Sequence, residues 1–284
     1  MAHERILIAG CGDVGLRAAG LLAARGAQLW GLRRRVPEPG AAPAGMRWIA
    51  ADLRDPATLG ALPEGITRLA YLPTPQARSV AAYTEIFLHG LRNLLRALDA
   101  SALRRTVLVS STAVYGEHHG DWVDEATAPA PAGANGHVLL QAEQWLARQP
   151  GSHVVLRLAG LYGPGRGWLL ERLRRGQAAA PRHRPHWANR IHVQDAAGAL
   201  AHLLLHPCPQ PCYIGCDDTP LPLHELYGAL AALVGGPEPP DGPAPAGVGS
   251  KRLSNARLRA SGYVLRWPDS RAGYAALLAR PDAA

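Results

Sequence analysis

The chain has 284 residues, enough for one large α/β domain or for a domain with a smaller appendage. Its 48% hydrophobic content can build a sizeable core and excludes a disordered chain, and no apolar run approaches the roughly 18 residues of a membrane span. The net charge of +8 rests on scattered arginines, with Lys251 the only lysine, which argues against a nucleic-acid footprint and for small anionic partners.

The opening MAHERILIAG carries a charge pair and passes straight into a strand-like run. It lacks the longer apolar segment of a signal peptide, so a soluble cytoplasmic protein is expected. Arg5–Ala9 (RILIA) is the first strand, LRAAGLLAARG is a helix closing on Gly26, and Gln28–Leu32 is the second strand, a βαβ unit. Met46–Ala50 predicts a third strand, and Leu69–Leu72 a fourth. A long helix is expected over Ser79–Leu98, then a fifth strand at Thr106–Val109, a helix at Gly136–Ala147 and a sixth strand at Val154–Leu158. Strands alternating with helices predict a doubly wound, mostly parallel sheet of Rossmann type. Beyond residue 160 the rhythm changes. Helices are expected at about 194–206, 222–234, Arg252–Gly262 and the final AGYAALLA, with 235–249 a flexible loop. The organisation expected is a nucleotide-binding domain over 1–160 and, over 161–284, mainly a small substrate-binding lobe, with some elements returning to the sheet.

Gly10-Cys11-Gly12-Asp13-Val14-Gly15 is a G-x-G-x-x-G turn between strand and helix, inside a βαβ unit. Gly10 allows the tight turn, Gly12 lets a diphosphate approach the backbone, and Gly15 lets helix and strand pack closely. A dinucleotide cofactor is therefore expected there, with the helix N-terminus facing its phosphates. The second strand ends in Arg33 and Arg34 where an NAD site would carry an acid, which favours NADP, with NAD as the alternative. Asp52 and Leu53 after the third strand are expected at the adenine, with Leu72, which closes the fourth strand, also at the cofactor; Asp55 competes as a helix cap. Cys11, Cys208, Cys212 and Cys216 lack zinc spacing and are expected as buried free thiols. No metal site is expected, and Asp121–Glu125 is read as a solvated acidic loop.

Ser110-Ser111-Thr112-Ala113-Val114-Tyr115-Gly116 follows the fifth strand, on the ligand side of a parallel sheet. With ILIAGCGDVG, ADLRD, VLRLAGLYGPGR, NRIHVQDAA and LSNARLRASGY, it makes nearly the whole chain resemble the extended short-chain dehydrogenase/reductase family, in its epimerase/dehydratase branch. The resemblance implies that Ser111, with Thr112 beside it, is the catalytic hydroxyl. It also implies a Tyr-x-x-x-Lys pair, the tyrosine as acid/base; counting back from Glu143, those positions hold Asn135 and Leu139. Phe87 stands where the family's long helix usually carries asparagine. The chain thus resembles an atypical subgroup without the usual proton relay.

Ser111, Thr112, Tyr115 and His137 are the candidates for proton donor or polar clamp. Packing competes for Tyr115, and a solvated or capping role for His137. Asn135 can donate a hydrogen bond but not a proton. By resemblance, Arg166 and Arg190 flank a substrate, and their charge suits an anionic or nucleotide-sugar-like molecule; loop anchoring is the competing reading. His192 is read as structural and Asp195 as opening a helix. Two functions remain open: an NAD(P)-dependent oxidoreductase or epimerase-like enzyme, and a non-catalytic NAD(P)-binding sensor. A homodimer is allowed for.

Overall fold

The computed structural model describes residues 4–37, 40 and 42–279. Strands β1 (Arg5–Ala9), β2 (Gln28–Arg33), β3 (Arg47–Ala50), β4 (Arg68–Tyr71) and β5 (Arg105–Ser111) join Ser152–Leu158 and Cys212–Gly215 in one seven-stranded parallel sheet. Across the sheet the order is Cys212–Gly215, Ser152–Leu158, β5, β4, β1, β2, β3. This is a Rossmann-type α/β arrangement, and the strand order reverses between β1 and β4. β1 pairs Ile6 with Leu29 of β2 on one side and Leu7 with Leu69 of β4 on the other. Ile6, Leu7, Ile8 and Ala9 are wholly buried, which is why RILIA is a continuous apolar run rather than an alternating one. At the outer edge, β3 is half exposed.

Two compact units share the chain, which crosses between them several times: residues 1–111, 134–157 and 197–213 in one, 112–133, 158–196 and 214–284 in the other. The first holds the sheet strands β1–β5 and helix α1 (Asp13–Ala23). Arg105 at the start of β5 donates to the carbonyls of Leu203, Leu204 and His206, the free carbonyls at the end of helix Val193–Leu205. Glu143 and Arg157 form a buried ion pair, Nη2 to Oε2 at 2.5 Å, joining helix Ala134–Leu146 to its neighbouring strand.

The second unit packs Tyr162, Leu169, Leu173, Leu226 and Leu230 into one core, with Tyr162 stacked on Tyr274 at 4.4 Å between ring centroids. Among its described residues are three short two-stranded ribbons: Gly160–Tyr162 with Arg190–His192, Trp187–Ala188 with Leu221–Pro222, and Trp122–Val123 with Arg252–Leu253.

Three expectations need correction. The helix expected over Arg252–Gly262 is limited to Ala256–Ala260, because the amides of Arg252 and Ser254 bond to the carbonyls of Asp121 and Val123 instead. Asp121–Glu125 is not simply a solvated loop: it contains that ribbon strand, and the buried Glu125 carboxylate accepts from the Ile214 amide at 2.7 Å. The four cysteines are free, but Cys208 is exposed and Cys212 half-buried. The proline-rich stretch 235–249 has no helix or strand. It is anchored where Ala180 N–H donates to Pro240 O and Arg182 N–H to Asp241 Oδ1. Among the described residues no helix is long and apolar enough to cross a membrane.

Candidate functional site

At the carboxyl ends of β1 to β4, a cavity of about 240 Å³ is lined by Gly10, Gly12, Arg33, Arg34, Asp52, Leu53 and, from the chain after β4, Pro73, Thr74 and Gln76. Ala82, Glu85 and Ile86 close its far side. The three glycines of the turn differ in their surroundings. Gly10 has φ +79°, and a Cβ there would lie 2.3 Å from Pro73 Cα. Its N–H is held by Leu32 O at 3.0 Å, which fixes the turn against β2. At Gly12, the N-cap of α1, a Cβ would meet nothing nearer than Gly10 O at 3.9 Å. That bare surface opens beside the helix start, where a diphosphate can approach the backbone. At Gly15 a Cβ would press on Ile8 at 3.1 Å, so this glycine serves helix–strand packing.

The remaining residues of the motif turn inward or sideways. Cys11 is fully buried, and burial pushes its thiol up to about 12, so it is no nucleophile near neutral pH. Val14 is buried, and Asp13 is paired with Arg17 at 2.7 Å. Leu72 gives its N–H to Ala9 O rather than lining the cavity. The cavity is therefore lined by Gly10, Gly12, Arg33, Arg34, Asp52 and Leu53, and not by the side chains of Cys11, Asp13, Val14 or Leu72.

Arg33 closes β2 half-buried, and Arg34 is exposed on the rim. Across the mouth, the Gln76 amide oxygen accepts from the Arg34 guanidinium once that amide is oriented to suit it. Asp52 is clamped by Arg54, Nη2 to Oδ2 at 2.6 Å, and this hydrogen bond holds its carboxyl below the usual carboxylate range. The Asp52 amide is held by Thr58 Oγ1 at 3.0 Å, while Asp55 caps the turn Pro56–Leu59. Leu53 is buried, and its carbonyl accepts from Asn93 at 3.0 Å.

The far wall was not legible in the sequence. The long helix is α-helical over Val80–Tyr83 and Leu91–Ala97 but π-helical over Thr84–Gly90, which lies between them. Tyr71 of β4 donates its hydroxyl to Ile86 O at 2.5 Å in the middle of that segment. The wider turn brings Glu85 and Ile86 to the cavity, as π-bulges commonly do at functional sites.

Around the chemistry-bearing motif, Ser111 closes β5 half-buried, and Thr112 opens a short turn in the second unit. Tyr115 is withdrawn as a proton donor: it is buried, and its hydroxyl donates to Asp124 O at 2.9 Å. His137 lies exposed on helix Ala134–Leu146. On that helix Leu139 is buried, and Asn135 donates to Arg78 O at 3.3 Å. Neither position can carry the acid/base chemistry of a tyrosine–lysine pair. In the second unit, Arg190 is bonded to the Tyr274 hydroxyl and to Asn189 O, the role of a loop anchor. His192 is structural as expected: it is buried, and Nδ1 accepts from Gln194 N–H. Asp195 lies in the first turn of its helix, but its carboxylate holds the amides of Arg266 and Trp267 at 2.7 and 2.9 Å.

Residues 6–214 match the family model for the NAD dependent epimerase/dehydratase family. The chain belongs to that family. Its NAD(P)-binding Rossmann sheet follows from that membership, as does its place among oxidoreductases and epimerases. Protein YeeZ of Escherichia coli strain K12 is 32% identical over 249 residues, 84% of this chain and 86% of its own length. A 3-diazoavenalumate denitrifying reductase from a Streptomyces species is 28% identical, with 83% of each chain covered. A solved structure from Methylobacillus flagellatus, provisionally described as an NAD-dependent epimerase/dehydratase, is 40% identical and covers 99% of both chains at a TM-score of 0.81. The UDP-glucose 4-epimerase of Thermus thermophilus, solved with NAD, shares the fold at 22% identity and a TM-score of 0.81, covering 99% of this chain and 100% of its own.

Proposed function

We propose that this family member is an NADP-preferring reductase of a small anionic substrate, working without a tyrosine–lysine relay. One observation carries the reading: Arg33 and Arg34 line the same cavity as Gly10 and Gly12, and no acid closes β2. The bare Gly12 surface and the strained Gly10 turn fit a diphosphate, and two guanidinium groups fit a ribose 2′-phosphate. A carboxylate in their place would repel that phosphate. When bound, the nicotinamide supplies a hydride to an electrophilic centre.

The chain's own residues then have modest work. Ser111, at the end of β5, can hold the acceptor's polar atom by a hydrogen bond, with Thr112 as its neighbour. Neither hydroxyl is an acid near neutral pH, and Asn135 is committed to Arg78 O. Such a site suits an acceptor that takes a hydride without proton delivery to a developing alkoxide. The relative named as a denitrifying reductase of a diazo compound supports a substrate of that sort over a simple carbonyl. The chain's net charge of +8 supports an anionic substrate.

A specific observation favours the second reading, a cofactor sensor. Leu139 is buried apolar where the family's lysine would orient the ribose. One experiment divides the two. The protein is titrated with NADPH and NADH, and loss of reduced-nicotinamide absorbance is followed with aryl diazo carboxylates, ketones and nucleotide sugars. Turnover of an anionic diazo or related acceptor with NADPH is the expected result. Tight NADPH binding with no turnover on any of the three classes would replace the reductase by the sensor.

A further inference from the structure

We infer that the first unit carries a second small-molecule site, at the edge of the sheet opposite the cofactor cavity, for a small carboxylate with an apolar body and one hydrogen-bond donor. A cavity of about 390 Å³ lies there, in the size range of ligand pockets. Its walls come from the end of the long helix (Arg92, Leu95, Arg96), the first residues of β5 (Thr106), the end of helix Ala134–Leu146 (Trp145) and the start of Ser152–Leu158 (His153). The residues of the cofactor cavity follow the strands' carboxyl ends, and these precede or begin the strands, so the two sites are distinct.

Among the described residues, three buried polar atoms on this wall have no hydrogen-bond partner: Thr106 Oγ1, His153 Nδ1 and Arg92 Nε. Thr106 is wholly buried. Buried polar groups are ordinarily bonded, so three orphans on residues that line one cavity point to a ligand that completes the set once these side chains turn toward it. Their chemistry selects the ligand. His153 Nε2 faces the carbonyls of Gln149 and Pro150 at 3.1 and 2.9 Å, so that nitrogen carries the proton and Nδ1 is an acceptor. Burial also lowers the histidine's affinity for a second proton, which keeps it neutral. A ligand donor is therefore needed at Nδ1, and the Thr106 hydroxyl can serve either sense. Arg92 and Arg96 sit four residues apart on one helix face, so an anion bound between them would meet both charges. The Arg92 guanidinium rests 5.3 Å from the Trp145 ring, which pre-positions it. Arg105 also reaches the wall, but it is occupied by helix-end carbonyls. Trp145, Leu95 and Leu103 add an apolar surface that a bare inorganic anion would leave uncovered.

The test is calorimetric titration of the whole protein with 4-hydroxybenzoate, benzoate and inorganic phosphate. Saturable binding of 4-hydroxybenzoate in the millimolar range or tighter is expected, with benzoate about fivefold weaker for want of the donor. Arg96→Glu, an exposed change that leaves the fold intact, and Thr106→Val, which removes only a hydroxyl, should each weaken binding about tenfold and leave NADPH affinity unchanged. Folding of both is checked by their thermal midpoints; should Thr106→Val not fold, Arg96→Glu alone decides. No saturable binding of either benzoate at about 10 mM would overturn the site and leave a cavity for water only. Equal binding of phosphate would reduce it to a cationic patch, and indifference to the Arg96 change would place the ligand elsewhere.

Discussion

The hydroxyl of Tyr71 donates to the carbonyl of Ile86 at 2.5 Å, and a Cβ at Gly90 would come within 2.9 Å of that hydroxyl. Strand β4 thereby holds open a π-helical segment whose residues Glu85 and Ile86 face the cofactor cavity. Burial raises the phenol well above its ordinary range, so it remains a donor at any working pH. Tyr71→Phe keeps the ring and leaves the carbonyl without its partner. The expected loss is about 1–3 kcal/mol in denaturant unfolding. NADPH affinity should fall severalfold as the far wall relaxes. Unchanged affinity at reduced stability would confine the bond to a structural role.

On the proposed function, Arg33 and Arg34 read the phosphate that distinguishes NADPH from NADH. Changing both to serine removes charge-assisted bonds worth about 1.5–3 kcal/mol, so NADPH should bind about 10- to 150-fold more weakly. NADH, which lacks that phosphate, should change less than about threefold. Competitive fluorescence titration of both cofactors reads the ratio, and equal losses would remove the arginines from cofactor choice.

The cavity walls also mark how far the amino-acid order could be read. β1 and its glycine turn were legible because a central parallel strand is apolar on both faces and a turn with φ > 0 at position 10 needs glycine. Arg33, Arg34, Asp52 and Leu53 were legible because residues that follow strand ends fall on the ligand edge. Pro73, Thr74 and Gln76 share that edge but carry no signal in their residue types. The π segment was hidden because its cause, Tyr71, lies on another element. Arg252 reads as helix by local preference, yet its amide is claimed by Asp121, more than a hundred residues away, as only the folded chain can tell.

The Glu143–Arg157 pair is among the most buried ionic contacts in the first unit, with side chains only 5% and 8% exposed. Removing one partner strands the other charge away from water. Glu143→Ala should therefore cost about 3–5 kcal/mol, whereas Glu143→Leu combined with Arg157→Met should recover most of that loss. Urea unfolding of the single and double variants measures both. A single variant within about 1 kcal/mol of the parent would mean that water reaches the arginine.

Asp217 should give the second unit an unusual acid preference. It is 2% exposed, and its carboxylate accepts from the amides of Thr219 at 3.3 Å and Ser270 at 3.1 Å and from the Ser270 hydroxyl. Burial, aided by the neighbouring Asp269 charge, raises its carboxyl from 3.8 to about 7. The folded chain thus holds this proton across a range where the unfolded chain has released it. The resulting stability is full below the unfolded value of 3.8 and is lost as pH rises through about 7. Asp195 and Glu125 are also raised by burial and act in the same sense, so the variant isolates Asp217's share. Asp217→Asn keeps an acceptor for Ser270 and cannot ionise. Its unfolding free energy should fall less steeply than the parent's between about pH 4 and about pH 7, by at most about 1.4 kcal/mol per pH unit. Parallel pH profiles for parent and variant would show that Asp217 ionises in the folded chain as it does in the unfolded one.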